Sequence, residues 1–373
     1  MIQPPITSSK IISEKNSNSL QALRAIALVG VFLAHAQAKH SWAVLSVSIF
    51  FVLSGFLLFI RYENKVFTCS LKNNIEFSIN KIKKLYPLHI ITMVFGVILR
   101  LYNAYLDGLS LKSVVAAIRD LFLNITLLQT WYPKSEVSVS LNGVSWFLSV
   151  MMFLYFIFPF LLSWIRKIDS SIALVLISAI IIGVQLCSTY AIAVIFGYSS
   201  SVCQWFDYFF PLFRLGDFAC GCCLGKLYIS HQKNTSSILL YSGIELLLLF
   251  ASFRFYKWVM VPKDTVLLQC FLYPGSLCIP IAMLLVTAFA SCKGLLTKLL
   301  TNRLLVFLGN ISPEMFLIHN ITTLYFQKAL SIAYVYLDGW AKVIYILIEF
   351  VTSISLSVLY LAIAPKIRKN FSR

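Results

Sequence analysis

The sequence is short of charge. Of 373 residues only 12% are charged, and just 14 are acidic. A soluble domain carries roughly 25% charged side chains because its surface must face water, so a water-soluble globule is excluded. No repeat with a period of about 20–50 residues is visible, which excludes a solenoid. Nor is there a second cysteine pair to accompany Cys220 and Cys223 in C-x-x-C spacing. Without one, a metal or redox site gives way to a packing reading. The nine cysteines are an odd number, most lie in apolar runs, and there a free thiol behaves as a small hydrophobe. Gly221 and Gly225 in the same segment give a small-xxx-small face for close helix contact.

What the chain has instead is apolar length. Hydrophobic residues make up 59% of it, gathered in runs that reach the roughly 20 residues a bilayer-crossing helix needs. The fold class expected is all-α, a polytopic membrane helix bundle with about ten transmembrane helices. The expected spans are Leu20–Ala38, Ala43–Ile60, Leu85–Tyr102, Ser145–Ile165, Ser171–Gly197, Phe209–Tyr228, Ile238–Phe253, Thr265–Ala290, Leu304–Phe326 and Trp340–Ala364. Leu111–Gln129 carries Arg119 and Asp120 near its middle and reads as an interfacial or re-entrant helix.

An even number of spans puts both termini on one side. Arg61, Lys65, Lys72, Lys81, Lys83 and Lys84 share one loop, Arg166 and Lys167 follow the fourth span, and Lys293, Lys298 and Arg303 precede the ninth. With Lys10, Lys15, Arg24, Lys226 and Lys233, and with Lys366, Arg368, Lys369 and Arg373 at the end, that side holds 20 of the 31 basic residues and is expected to be cytoplasmic. The net charge of +17 is spread over short loops rather than one face, so it fits topology and anionic lipid headgroups and excludes nucleic acid as partner. Residues 1–19 read as a polar cytoplasmic tail, 20–365 as the membrane domain and 366–373 as a basic cytoplasmic tail. Lys10, Lys15 and the Ala34-His35-Ala36-Gln37-Ala38 end of the first run imitate a cleavable signal. Arg24 inside the run, and a second apolar run close behind, argue that the first span is retained.

Ionisable groups at membrane depth cost roughly 2.5–3.5 kcal/mol each on insertion scales, so each needs a partner, a wet cavity or a function. The candidates are Arg24, His35, His89, Arg214, Asp217, Glu314 and His319, with Glu245 and Glu349 lacking any neighbour in sequence that assigns them a role. Eleven helical steps separate Arg24 from His35, about 16 Å and close to three full turns, so both lie on one face. This places a phosphate-holding cation one long reach from a residue able to take a proton. A snorkelling Arg and a His bonded within the bundle read equally well. Arg214 and Asp217 at i, i+3 can pair. Lys81, Lys83 and Lys84 before Tyr86-Pro87 either set topology or form a basic mouth for a phosphorylated donor. Ser312-Pro313-Glu314 resembles a helix start, with Ser312 as N-cap, which puts a break inside the ninth span.

Taken in order, several blocks resemble the integral-membrane acyltransferase type 3 family, which includes bacterial O-antigen, capsule and other cell-envelope O-acetyltransferases. They are Arg24-(x10)-His35, Ser48 to Phe56, the basic stretch to Tyr86-Pro87, and Ser145-Trp146-Phe147-Leu148-Ser149 leading to Tyr155 and Pro159. Phe213-Arg214-x-x-Asp217-Phe218 with Gly221, and Leu308 to Ser312 leading to His319, complete the set. The resemblance implies an inner-membrane enzyme that takes an acyl group from cytoplasmic acyl-coenzyme A, with acetyl-CoA as donor, and delivers it to a glycan or lipid-linked oligosaccharide. It implies His35 as general base, with Asp217 or Glu314 to orient or charge-balance it and His319 as a further catalytic candidate. Arg24, Lys81, Lys84 and Arg214 would meet the donor's phosphates, and Trp146, Ser149 and Tyr155 the substrate. No permanently bound cofactor or metal is expected. The chain departs from the pattern in having lysines at 81 and 84 where many members carry arginines. It also has Met151 where many carry a glutamate.

Two other classes compete. A glycan transporter or flippase would show pseudo-symmetry between halves, which the sequence lacks. A non-catalytic scaffold would be indifferent to His35.

Overall fold

The apolar runs fold as helices, and among the described residues every regular element is helical. The computed structural model describes residues 14–36, 41–65, 67, 69–108, 110–231, 238–260 and 275–371. Helix α1 (Glu14–Ala36) starts ahead of the expected span and takes Asn16 to Ser19 into its first turns. The expected polar tail is therefore helical from Glu14, and residues 1–13 lie outside the described residues. At the other end the last helix continues as far as Phe371, through most of the expected basic tail.

Among the described residues seven helices are long and apolar enough to cross a membrane, eight if one bent pair counts as a single span. The protein is a multi-pass membrane helix bundle. Two of the ten expected spans differ. The run expected at Phe209–Tyr228 forms helix α10 (Pro211–Ser230), which follows α7 (Trp146–Ile165), α8 (Ser171–Phe196) and the short helix α9 (Ser201–Gln204). It carries Arg214, Asp217 and Lys226, too much charge for a lipid-facing helix. Instead α2 (Ser41–Tyr62), α7 and α8 pack round it, so its charges are met inside the protein. Of the run expected at Thr265–Ala290, residues 265–274 lie outside the described residues. What is described is the 14-residue helix Cys278–Ser291.

The glycine face on α10 holds as expected. A Cβ on Gly221 would run into the Val52 carbonyl of α2, and one on Gly55 into the Phe218 carbonyl of α10. Cys222 adds an Sγ contact to the Gly55 carbonyl at 3.5 Å. Backbone meets backbone here, which only residues without side-chain bulk permit.

Two amphipathic helices sit at the margins. Helix α3 (Leu71–Ile82) lies along α7, held by Asn74 Nδ2 donating to Phe156 O at 3.1 Å and Ser78 Oγ to Met152 O at 2.5 Å. After α4 (Tyr86–Asp107), the 15-residue α5 (Leu111–Ile125) exposes Leu111, Val115, Ile118 and Phe122 on one face. Its other face turns in Asp120, which is clamped by Arg100 at 2.6 Å and Arg119 at 2.7 Å. At 15 residues it is too short to span a bilayer, in keeping with the interfacial or re-entrant helix expected. A one-turn helix α6 (Ser135–Ser138) leads on towards α7.

The C-terminal third holds α11 (Ile238–Met260), α12 (Cys278–Ser291), α13 (Leu295–Leu300), α14 (Arg303–Asn310), α15 (Ser312–Ile332) and α16 (Gly339–Phe371). Glu245 of α11 accepts from Leu296 N at 2.9 Å, Thr297 N at 3.3 Å and Thr297 Oγ1 at 2.6 Å. Its buried carboxylate closes the first turn of α13, a structural task. Glu349 of α16 accepts the Thr323 hydroxyl of α15. The expected break occurs between α14 and α15, which meet at 75°. Pro313 falls in the first turn of α15 as expected, but Ser312 is not the N-cap. Its hydroxyl donates back to the Gly309 carbonyl at 2.8 Å, an oxygen whose i+4 position is Pro313, which has no N–H to give.

The α2–α10 contact yields a direct prediction. Gly221→Leu is expected to cost more than the roughly 1–3 kcal/mol typical of overpacking and to abolish the monodisperse peak in detergent size-exclusion chromatography. Gly243→Ala, at a helical glycine whose added Cβ meets open space, should leave that peak unchanged.

Candidate active site

Two histidines meet inside the bundle. His35, one residue from the end of α1, places Nδ1 3.0 Å from Nε2 of His319 on α15. His319 is fully buried, ringed by Phe32 and Phe316 with centroids at 6.3 and 5.8 Å. Its Nδ1 lies 3.1 Å from the carbonyl oxygen of Met315, one turn earlier. A carbonyl only accepts, so this nitrogen carries the proton of a neutral His319 and Nε2 holds a lone pair. That lone pair accepts the Nδ1–H of His35, and the remaining lone pair of His35 then sits on Nε2. A backbone carbonyl thus sets one tautomer and the first ring sets the second, the logic by which an oriented histidine becomes a base.

The two acids expected as partners of His35 are engaged elsewhere. Glu314 is buried in the first turn of α15, where the helix dipole favours a carboxylate. It pairs with Lys84 at 3.5 Å, and Lys84 itself is largely exposed. Asp217 lies 3.6 Å from Arg214 and accepts from Gln185 Nε2 at 3.3 Å.

The expected donor-binding cations stand in four different settings. Arg24 is half-buried on α1, donates to Gln21 Oε1 at 3.4 Å, and lies within electrostatic reach of Tyr155 on α7. Lys84 faces the α14–α15 bend through Glu314. Lys81 turns the other way and donates to the Tyr62 hydroxyl at 2.7 Å, with its ammonium 4.6 Å from that ring centroid. Arg214 is sealed. It has no exposed surface, its Nε donates to Tyr208 O at 2.8 Å, and its guanidinium stacks over the Tyr208 ring at 4.8 Å. It braces the π-helical turn Trp205–Phe209 and cannot meet a phosphate where it stands.

The fourth-span residues form a wall. Trp146 packs against Tyr208 and Phe209 with both centroids at 5.2 Å and is almost wholly enclosed. Ser149 donates to Leu127 O at 2.6 Å and is 2.6 Å from the Thr130 hydroxyl, so it ties the preceding loop to α7 rather than presenting itself to a substrate. Met151 is buried in the main apolar cluster, where the family glutamate would find no polar seat.

Sequence reasoning missed the loop that leads into this wall. Asn124, Gln129, Thr130, Ser138, Asn142 and Ser145 are all fully buried. Ser145 Oγ donates to Asn124 Oδ1 at 3.1 Å, Asn124 Nδ2 to Ser140 Oγ at 2.9 Å, and the Nε2–H of His89 to Asn124 O at 2.9 Å. The density of amide and hydroxyl side chains over residues 124–149 was the available signal. Among the described residues no three His, Cys, Asp or Glu side chains converge as metal ligands.

The profile of a family described as an acyltransferase domain matches residues 17–362, nearly the whole chain. The chain belongs to the acyltransferase type 3 family. Within that family's domain lie both histidines, the Lys84–Glu314 pair and the fourth-span wall. Acyltransferase MdmB of Streptomyces mycarofaciens is 29% identical over 167 residues, 40% of this chain and 40% of that protein. The chain therefore spans well under half of the curated relative that it matches. No solved structure matches it. The chain is thus a multi-pass membrane member of the acyltransferase type 3 family.

One carboxyl in the turn behind the wall predicts a pH dependence. Burial pushes Asp207, between α8 and α10, up to about 7 against the opposing pull of Arg214. A carboxyl raised in the folded state contributes stability that is present below its unfolded value near 4 and lost as pH rises through about 7. Melting curves of the purified protein should therefore fall between pH 5 and pH 8. Asp207→Asn should remove most of that fall and melt higher than wild type at pH 8.

Proposed function

We propose that the protein is an O-acyltransferase of the inner (cytoplasmic) membrane. It moves an acyl group, acetyl in the first instance, from cytoplasmic acyl-coenzyme A to a hydroxyl of an extracytoplasmic or lipid-linked glycan. The observation that carries this reading is the His35–His319 contact, in which a fixed carbonyl orients one ring and that ring orients the other. With both termini on the cytoplasmic side by the distribution of basic residues, α1 runs outward from Arg24 to His35.

In the reaction, the acceptor hydroxyl attacks the thioester carbonyl while its proton passes to Nε2 of His35. The C–S bond then breaks and the proton passes on to the leaving thiolate, so an ester and free coenzyme A result with no net proton change. The imidazolium formed meanwhile donates from Nδ1 to His319, which stabilises it without itself changing charge. General-base help of this kind is worth roughly 10²–10⁴ in rate.

Arg24 and Lys84 suit the donor's phosphates. Arg24 lies about three turns before His35 on α1, Lys84 lies just ahead of α4 beside Glu314, and a lysine binds phosphate as a point charge. An arriving phosphate would compete with Glu314 for Lys84. Lys81 would join only by leaving Tyr62, and Arg214 supports the aromatic wall rather than the donor.

Mass spectrometry of surface glycans tests the proposal in cells carrying wild type, His35→Ala, His319→Gln, His319→Ala or empty vector at matched membrane levels. An acyl increment should appear with wild type and fall by roughly 10²–10⁴ in His35→Ala. His319→Gln, whose carbonyl can still accept from His35, should retain more product than His319→Ala. Full product from His35→Ala would remove the proposed base. No increment from wild type in the native host would remove the function itself.

A further inference from the structure

A residue outside the histidine pair is bonded into the same stretch of α15. Asn142, in the loop before α7, is fully buried, and its Nδ2 donates to the Leu317 carbonyl at 2.9 Å. Its Oδ1 accepts from Nδ2 of Asn320 at 3.1 Å. These two partners bracket His319, one on each side in sequence. The neighbouring Gly143 lies close to Asn320, whose side chain an added Cβ would meet at 3.4 Å.

We propose that Asn142 is a positioning residue that holds His319, and through it His35, in register for acyl transfer. This rests on the acyltransferase reading above. Helix α15 starts afresh after the 75° bend, so its first turns are not held by a continuous helix behind them. The Met315 carbonyl that sets the His319 tautomer belongs to those turns. Asn142 supplies an external hold on the following residues. It is itself anchored: Ser145 and His89 bind Asn124, which ties the loop to α4. A shift of α15 by a fraction of an ångström would alter the 3.0 Å contact between the two rings.

The test uses the full chain in lipid nanodiscs, with Asn142→Ala, Asn320→Ala and, as control, Ser140→Ala. The control removes a buried hydrogen bond in the same loop, from Asn124, without touching α15. Asn142→Ala should lower kcat roughly tenfold to a hundredfold, leave the donor KM within about twofold, and move the acid limb of the pH–rate profile. It should also speed backbone hydrogen exchange over residues 312–322. Asn320→Ala, which spares the Leu317 bond, should move the same readouts less, and serves if Asn142→Ala does not fold. Ser140→Ala should move neither the profile nor that exchange. A wild-type kcat and pH profile in Asn142→Ala would overturn the proposal. So would unchanged exchange over 312–322, even if the wild type transferred no acyl group. That readout separates failure of the clasp from failure of the functional reading.

Discussion

Inside an apolar slab a polar side chain has no water to bind, so each one must be met by another group from the protein, and this constraint orders the whole bundle. Glu245 is consumed by the first turn of α13, Asp120 by two arginines, and Arg214 by Asp217, Tyr208 and a backbone carbonyl. His319 is met by Met315 on one nitrogen and His35 on the other. That chain of bonds fixes the tautomer of His35, a half-buried residue near the end of its helix, and is suited to passing a proton.

The break between α14 and α15 serves this arrangement. By starting a new helix it places a first turn that carries the buried Glu314 beside Lys84. The same turn carries the carbonyl that fixes His319. The Lys84–Glu314 pair and the orientation of His319 are thus built on one short stretch of chain. The close α2–α10 contact holds the other wall, with Phe51 stacked on Phe147 at 4.7 Å and Trp146 behind them.

Much of this was legible along single helices. The Gly221–Gly225 face, the interfacial α5, the broken ninth span and the shared face of Arg24 and His35 all follow from spacing, which sequence displays directly. What could not be read was which helices face each other. His35 and His319 are 284 positions apart, and nothing in either segment names the other, so acids were offered as partners where a second imidazole stands. Hydropathy likewise could not separate α10, enclosed by other helices, from a lipid-facing span. Ser149 carries a hydroxyl that suits a substrate equally well, and only the fold reveals Leu127 and Thr130 holding it.

The account turns on the orientation of two rings, and ring-nitrogen chemical shifts report it directly. With ¹⁵N-histidine in the full chain and only five histidines to assign by substitution, solid-state NMR at neutral pH can read each tautomer. The account predicts a protonated Nδ1 and a bare Nε2 on both His35 and His319, with the His35 pattern scrambled in His319→Ala. A protonated Nε2 on His319, or a His35 spectrum indifferent to the loss of His319, would contradict it.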